Sequence, residues 1–261
     1  MGCALAAADG LTPFSVAFLV GFPRSGTTLA DTFLMGHRDC LVLEELPLLN
    51  DAASGLGPME GLPDVDAVLL ADARKSYLDK VQEIVGDSEA KLIIDKSPLN
   101  LLAAPVIHSL FPRAPLIFVQ RHPCDAVLSG YMQSFEPNIG MASFLEIEDA
   151  ADFYNQVMRV WDASRRALDL NVHTIVYEQL VEDPARALRP IIDAMGLEWD
   201  EEMLDHVATA AKRGALLNTS YNQVTEPLDR RASGRWRRYR KQLEPVLPVL
   251  LPWAERFGYE D

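Results

Sequence analysis

Residues Ala17–Thr28, AFLVGFPRSGTT, run from an apolar stretch into a loop bracketed by Gly21 and Gly26 that carries Arg24, Ser25, Thr27 and Thr28. Glycines at both ends let the backbone approach a ligand closely. Successive N–H groups then point inward where a helix begins, and the helix dipole adds positive potential. The pattern is that of an anion cradle. Its spacing nearly fits G-x-x-x-x-G-K-[ST], the phosphate loop of nucleoside triphosphate enzymes. Thr27, however, stands in the lysine position, and Arg24 has entered the loop. The expected ligand is a terminal anion rather than the triphosphate–Mg²⁺ of an ATPase.

Three further groups follow apolar runs. Leu116–Gln120 leads into Arg121-His-Pro-Cys-Asp-Ala-Val-Leu-Ser129. Arg121 at a strand end and Ser129 two turns into a helix can converge on one phosphate, the arginine by bidentate pairing and the serine as a neutral donor. Lys96 follows Ile93-Ile94-Asp95, so its ammonium reaches the end of a sheet. Glu44 and Glu45 follow Leu41–Leu43 and offer a proton acceptor. Because side chains alternate along a strand, only one of the two is expected to face the cleft.

P-R-S-G-T-T resembles the 5′-phosphosulfate loop of sulfotransferases that use PAPS (3′-phosphoadenosine 5′-phosphosulfate). Arg121-x-Pro123 with Ser129 eight residues on resembles their 3′-phosphate site, and Asp95-Lys96-x-Pro98 their D-K-x-P segment, whose lysine contacts the bridging oxygen at the sulfate. Glu44-Glu45-Leu46-Pro47 is similar to the tyrosylprotein sulfotransferase branch, and the resemblance makes Glu45 the base. In the same way Tyr177, in Val176-Tyr-Glu-Gln-Leu, is implied to contact the nucleotide. Ser220, in Ser220-Tyr-Asn-Gln-Val, is implied to support the leaving oxygen together with Lys96 and Arg24. Arg235 and Trp236 resemble the late basic-aromatic segment over the nucleotide.

What the resemblance implies is a P-loop-like three-layer α/β fold with a central parallel sheet, flanking helices and a helical C-terminal part. PAPS is the implied donor and PAP the product, with no metal. The acceptor is a hydroxyl on a small molecule, a saccharide or a peptide tyrosine, and Pro47 stands where the eukaryotic tyrosylprotein enzymes carry a substrate-contacting arginine. Two alternatives stay open: a small-molecule kinase on a degenerate P-loop, and a PAP-binding module without turnover.

The elements that must position these groups alternate along the chain. Strands are expected at Val16–Val20, Leu41–Leu43, Lys91–Ile94, Leu116–Gln120 and Val172–Val176. Helices are expected at Thr27–Met35, Asp66–Val85, Leu99–Leu110 and Ala126–Gln133 between them, then at Ala151–Leu168 and Pro184–Met195. Continuous apolar runs alternating with helices predict a parallel, doubly wound sheet with its ligand at the carboxyl ends of the strands. Asp183-Pro184 reads as a helix cap followed by its first residue. Asp51–Pro63, Pro137–Ser143 and Asn218–Arg231 read as loops lining the acceptor side.

At 261 residues the chain is read as a single domain, 1–261. A net charge of −14 argues against a general nucleic-acid partner. Positive charge is instead concentrated at Arg230, Arg231, Arg235, Arg237, Arg238, Arg240 and Lys241. Cys3, Cys40 and Cys124 form neither a disulfide framework nor a zinc pattern. No apolar run is long enough to span a bilayer, and the N-terminus lacks the basic and apolar regions of a signal peptide. A cytoplasmic protein, or a domain cut from a longer one, is expected, with no membrane insertion.

Overall fold

Every apolar run expected to be a strand is one. In a computed structural model that describes residues 12–133, 142–213, 228 and 232–260, the strands are β1 (Ser15–Gly21), β2 (Cys40–Glu44), β3 (Leu92–Lys96), β4 (Leu116–Gln120) and β5 (Val172–Val176). They pair in the order β2-β3-β1-β4-β5, each pair parallel. Helices α1 (Thr27–Met35), α2 (Leu48–Ala53), α3 (Ala67–Val85), α4 (Ala104–Leu110), α5 (Pro123–Tyr131), α6 (Ile147–Ala167), α7 (Tyr177–Glu182), α8 (Pro184–Ala194) and α9 (His206–Arg213) connect and follow them.

The two-residue period of the strands sorts their side chains into two cores. Val16, Phe18, Val20, Ile93, Leu116 and Phe118 pack on one face with residues of α3, α4, α5, α6 and the closing helix Leu247–Arg256. Ala17, Leu19, Leu92, Ile94, Ile117 and Val119 pack on the other with α1, α7, α8 and α9. Both faces are therefore covered, which is why the strands read as continuous apolar runs.

Several boundaries differ from the sequence reading. Asp51–Pro63 is not simply a loop: α2 ends at Ala53, and Met59–Asp64 forms a 3₁₀ turn that buries Leu62. The helix expected over Leu99–Leu110 is instead a 3₁₀ turn, Pro98–Ala103, followed by α4. Pro105 has no N–H to donate at the second position of α4, so the ladder cannot run through. α5 starts at Pro123 rather than Ala126, because His122 caps it by accepting the Cys124 N–H at 3.2 Å. α6 starts at Ile147, with Glu148 and Asp149 in its first turn. The Asp183 cap is present, its carboxylate accepting the Arg186 N–H at 3.0 Å. Most of the two other expected loops, and Ser220 within the second, lie outside the described residues.

Candidate active site

The carboxyl ends of all five strands contribute a candidate group. The glycine loop follows β1, Glu45 follows β2, Lys96 ends β3, Arg121 follows β4 and Tyr177 follows β5. Parallel pairing puts these ends on one edge, so residues far apart in sequence meet there.

The loop is held from below. Phe22 is buried between Phe144, Phe153 and Tyr154, with ring centroids 5.8, 5.5 and 4.7 Å away. The Ser25 N–H donates to the Phe22 carbonyl at 3.0 Å, closing a turn. Arg24 takes a left-handed backbone, φ 68°, and Gly26 caps α1 at φ 99°. A Cβ on Gly26 would overlap the Tyr177 ring, and one on Gly21 would lie 2.6 Å from Ser25 Oγ. Thr27 and Thr28 open α1 and are buried. Ser25 Oγ is buried with no hydrogen-bond partner among the described residues.

Arg24, Arg121, Ser129 and Tyr177 come together beside this loop. Arg121 donates to the Arg24 carbonyl at 2.9 Å and to the Ala232 carbonyl at 2.8 Å, and its guanidinium lies 4.4 Å from the Tyr177 ring centroid. Its Nε, also buried, has no partner among the described residues. Arg24 Nε is 3.4 Å from Ser129 Oγ, which sets its guanidinium beside the Arg121–Ser129 group. Burial, reinforced by the like charge of Arg121, lowers the Arg24 pKa to about 10. Burial likewise raises the Tyr177 pKa. Two desolvated guanidiniums side by side make a site that an anion would stabilise.

Lys96 is fully buried at the end of β3. Its Nζ lies 2.8 Å from Glu45 Oε1, 3.4 Å from Asp31 Oδ2 and 3.6 Å from Glu44 Oε1. Register explains part of this: Glu44 sits opposite Lys96 in the ladder, and both face the α1 side. The expectation that only one of Glu44 and Glu45 enters the cleft is not met. Glu45 has left the strand with φ 49°, so strand alternation no longer governs it, and both carboxylates converge on Lys96. They differ in access, the Glu45 side chain being 52% exposed and that of Glu44 15%.

Trp236 is fully buried, stacked on His122 at 4.8 Å between centroids, with the Arg237 and Arg240 guanidiniums 5.5 and 5.4 Å from its ring. Arg235 is half-buried, 5.8 Å from the Tyr239 ring. What fixes this segment is a residue the sequence reading missed. Asp125 accepts the N–H groups of Gly234 and Trp236, both at 2.7 Å. Glu178 was missed as well: it accepts the His122 N–H at 3.0 Å and the Tyr259 hydroxyl at 2.8 Å, tying the chain end to the strand ends. Asp31 was the third. Its signal was there, the one charged residue of that helix, a turn beyond Thr27 and Thr28.

Among the described residues, no group of three or more His, Cys, Asp or Glu could hold a metal ion, and no helix is long and apolar enough to cross a membrane.

A parallel sheet whose carboxyl edge carries a glycine loop, paired arginines and a buried lysine against a carboxylate defines an anion-handling α/β protein. Residues 17–201 match the Sulfotransferase family, and the chain belongs to it. It is 26% identical to protein-tyrosine sulfotransferase 1 of Danio rerio over 264 residues, covering 93% of this chain and 72% of that one. It is 28% identical to an Aquifex aeolicus protein over 246 residues, 89% of this chain but only 32% of the relative's length. Among solved structures, the sulfotransferase domain of the Synechococcus PCC 7002 olefin synthase superposes with a TM-score of 0.66 at 22% identity, covering 97% of this chain and 98% of that one. Mouse sulfotransferase SULT7A1, complexed with PAP, superposes with a TM-score of 0.52 at 16% identity over 96% and 86% of the two chains. The P-loop-like three-layer fold expected from the sequence is thus shared with known sulfotransferases.

Proposed function

We propose that this chain transfers the sulfuryl group of PAPS to an acceptor hydroxyl, with Glu45 as base. The observation that carries this reading is the buried Lys96 in contact with the half-exposed Glu45, on the same strand edge as the glycine loop. The residues present suit the donor. Ser25 Oγ and Arg121 Nε, buried and unpartnered among the described residues, are atoms that phosphate or sulfate oxygens would satisfy.

The loop N–H groups from Arg24 to Thr28 hold the 5′-phosphate and sulfate. Arg121 and Ser129 hold the 3′-phosphate, while Tyr177, Arg235 and Trp236 bound the nucleotide side. PAPS supplies the sulfuryl group: its bond to the bridging oxygen breaks as a bond to the acceptor oxygen forms, and PAP leaves. Glu45 takes the acceptor's proton, and Lys96, helped by Arg24, offers its charge where the leaving oxygen becomes negative. Ser220, outside the described residues, keeps its proposed place beside that oxygen. No metal is invoked, since Thr27 replaces the loop lysine that accompanies Mg²⁺ in triphosphate enzymes.

A single domain, a cytoplasmic site of action and a small-molecule, saccharide or tyrosyl-peptide acceptor complete the proposal. The test is an acceptor screen with ³⁵S-labelled PAPS over tyrosyl peptides, phenols, sugars and lipid alcohols. Label should move to one class, and continue to move after metals are stripped with EDTA. A strict Mg²⁺ requirement would move the chain to the kinase reading. PAP binding with no transfer to any acceptor would make it a binding module.

A further inference from the structure

We propose that Asp31 is a positioning residue for the reaction: it is the fixed counter-ion that keeps Lys96 charged and in place when Glu45 turns to the acceptor. This rests on the sulfotransferase reading of the same site. Lys96 is fully buried, and among the described residues the carboxylates within ion-pair distance of its Nζ are Asp31 on α1, and Glu44 and Glu45 at the end of β2. Glu45, the nearest of these, is the group proposed to let go. Once Glu45 has taken the acceptor's proton it is neutral and no longer balances the ammonium that it holds at 2.8 Å.

A buried ammonium that loses its nearest counter-ion tends to lose its proton. Asp31 is built to prevent that. It is itself fully buried and anchored in the first turns of α1, directly behind the anion loop. The one proton of the Thr32 hydroxyl is shared between the Thr28 carbonyl at 2.7 Å and one carboxylate oxygen of Asp31 at 3.2 Å. The other oxygen faces Lys96 Nζ at 3.4 Å. Strand register sets the partnership: Lys96 pairs with Leu19 of β1, whose side chain packs on the α1 face, whereas Asp95, one residue back, faces α3. Asp31 and Lys96 are thus held by rigid elements, while Glu45 sits at an exposed turn. The rigid pair orients the lysine, and the exposed partner exchanges.

Asp31→Asn keeps the shape and removes the charge. If Asp31 holds the proton on Lys96 once Glu45 has left it, the basic limb of the kcat–pH profile of Asp31→Asn should move down by about one to three pH units. Asp31→Glu should restore the limb. An Asp31→Asn enzyme that folds and shows a wild-type limb would overturn the proposal. If that variant does not fold, Glu44→Gln/Glu45→Gln, altered at the cleft edge, leaves Asp31 as the counter-ion. It should bind PAP at pH 8 without proton uptake, read by calorimetry in buffers of different ionisation enthalpy, and uptake there would overturn the proposal equally. Failure of the wild-type chain to bind PAP at all would instead sink the sulfotransferase reading.

Discussion

Access separates the two adjacent glutamates better than direction does. Both reach Lys96, but an acceptor hydroxyl can approach Glu45, half-exposed at a left-handed turn, far more readily than Glu44. Glu45→Gln keeps the shape and removes proton acceptance. Turnover should fall by roughly a hundredfold or more, the usual scale for a lost general base, with PAP affinity little changed. Glu44→Gln should lose far less, and single-turnover rates of the two variants will rank them. The opposite ranking would transfer the role to Glu44. On the proposed reading, Arg121 decides nucleotide choice. It is clamped by two carbonyls and the Tyr177 ring, with Nε left over for a ligand. PAP should therefore bind more tightly than 5′-AMP by about 1.5–3 kcal/mol, the worth of a charge-assisted hydrogen bond. Arg121→Ala should erase that difference in calorimetry, and a preference that survives would place the 3′-phosphate elsewhere.

Between residue and molecule stands the junction of β1 with α1, where backbone conformation rather than side-chain chemistry builds the cradle. Gly26 is needed twice, for φ 99° and because a Cβ there would overlap the Tyr177 ring. Gly26→Ala should cost about 1–3 kcal/mol of strain at the loop, and PAP should bind about ten- to a hundredfold more weakly. Gly57→Ala is the control. It too has a positive φ, 77°, but a Cβ there meets nothing within 4 Å. It should lower the melting temperature modestly and leave PAP affinity alone. Equal effects on affinity would mean that strain anywhere in the chain, not the fit of Gly26 against Tyr177, controls the loop.

For the molecule as a whole, the sheet carries a charge that opposes its own stability. Asp95 is fully buried on the α3 face, where one oxygen accepts the Tyr77 hydroxyl at 2.9 Å and the other has no partner among the described residues. Burial raises its pKa from 3.8 to about 6, with the Tyr77 bond opposing the rise. Below the unfolded value both states hold the proton. Between the two values the folded state keeps it and the unfolded state has released it, so stability falls as pH rises through about 6. The loss is on the order of 3 kcal/mol. Urea unfolding from pH 4 to 7.5 should show Asp95→Asn gaining on the wild type across that window, other groups cancelling in the comparison. A pH-independent difference would show that the carboxyl titrates normally.

The strands, the glycine loop and the strand-end position of Arg121 were legible because each is local: apolar runs, two glycines and an arginine after a strand are set by covalent neighbours. Family membership followed from the same short segments. What could not be read was where side chains from separate elements meet. Strand alternation predicted that Glu44 and Glu45 diverge, yet the left-handed turn at Glu45 brings both to Lys96. Asp125 looked like an ordinary first-turn acid until the fold brought the N–H groups of Gly234 and Trp236 onto it, more than a hundred residues away. Asp31 became a partner of Lys96 only because parallel pairing sets the end of β3 beside α1. Local chemistry thus determined which groups this chain possesses. The tertiary structure decided which of them share a charge, because Coulomb and hydrogen-bond partners are fixed by distance in space, not along the chain.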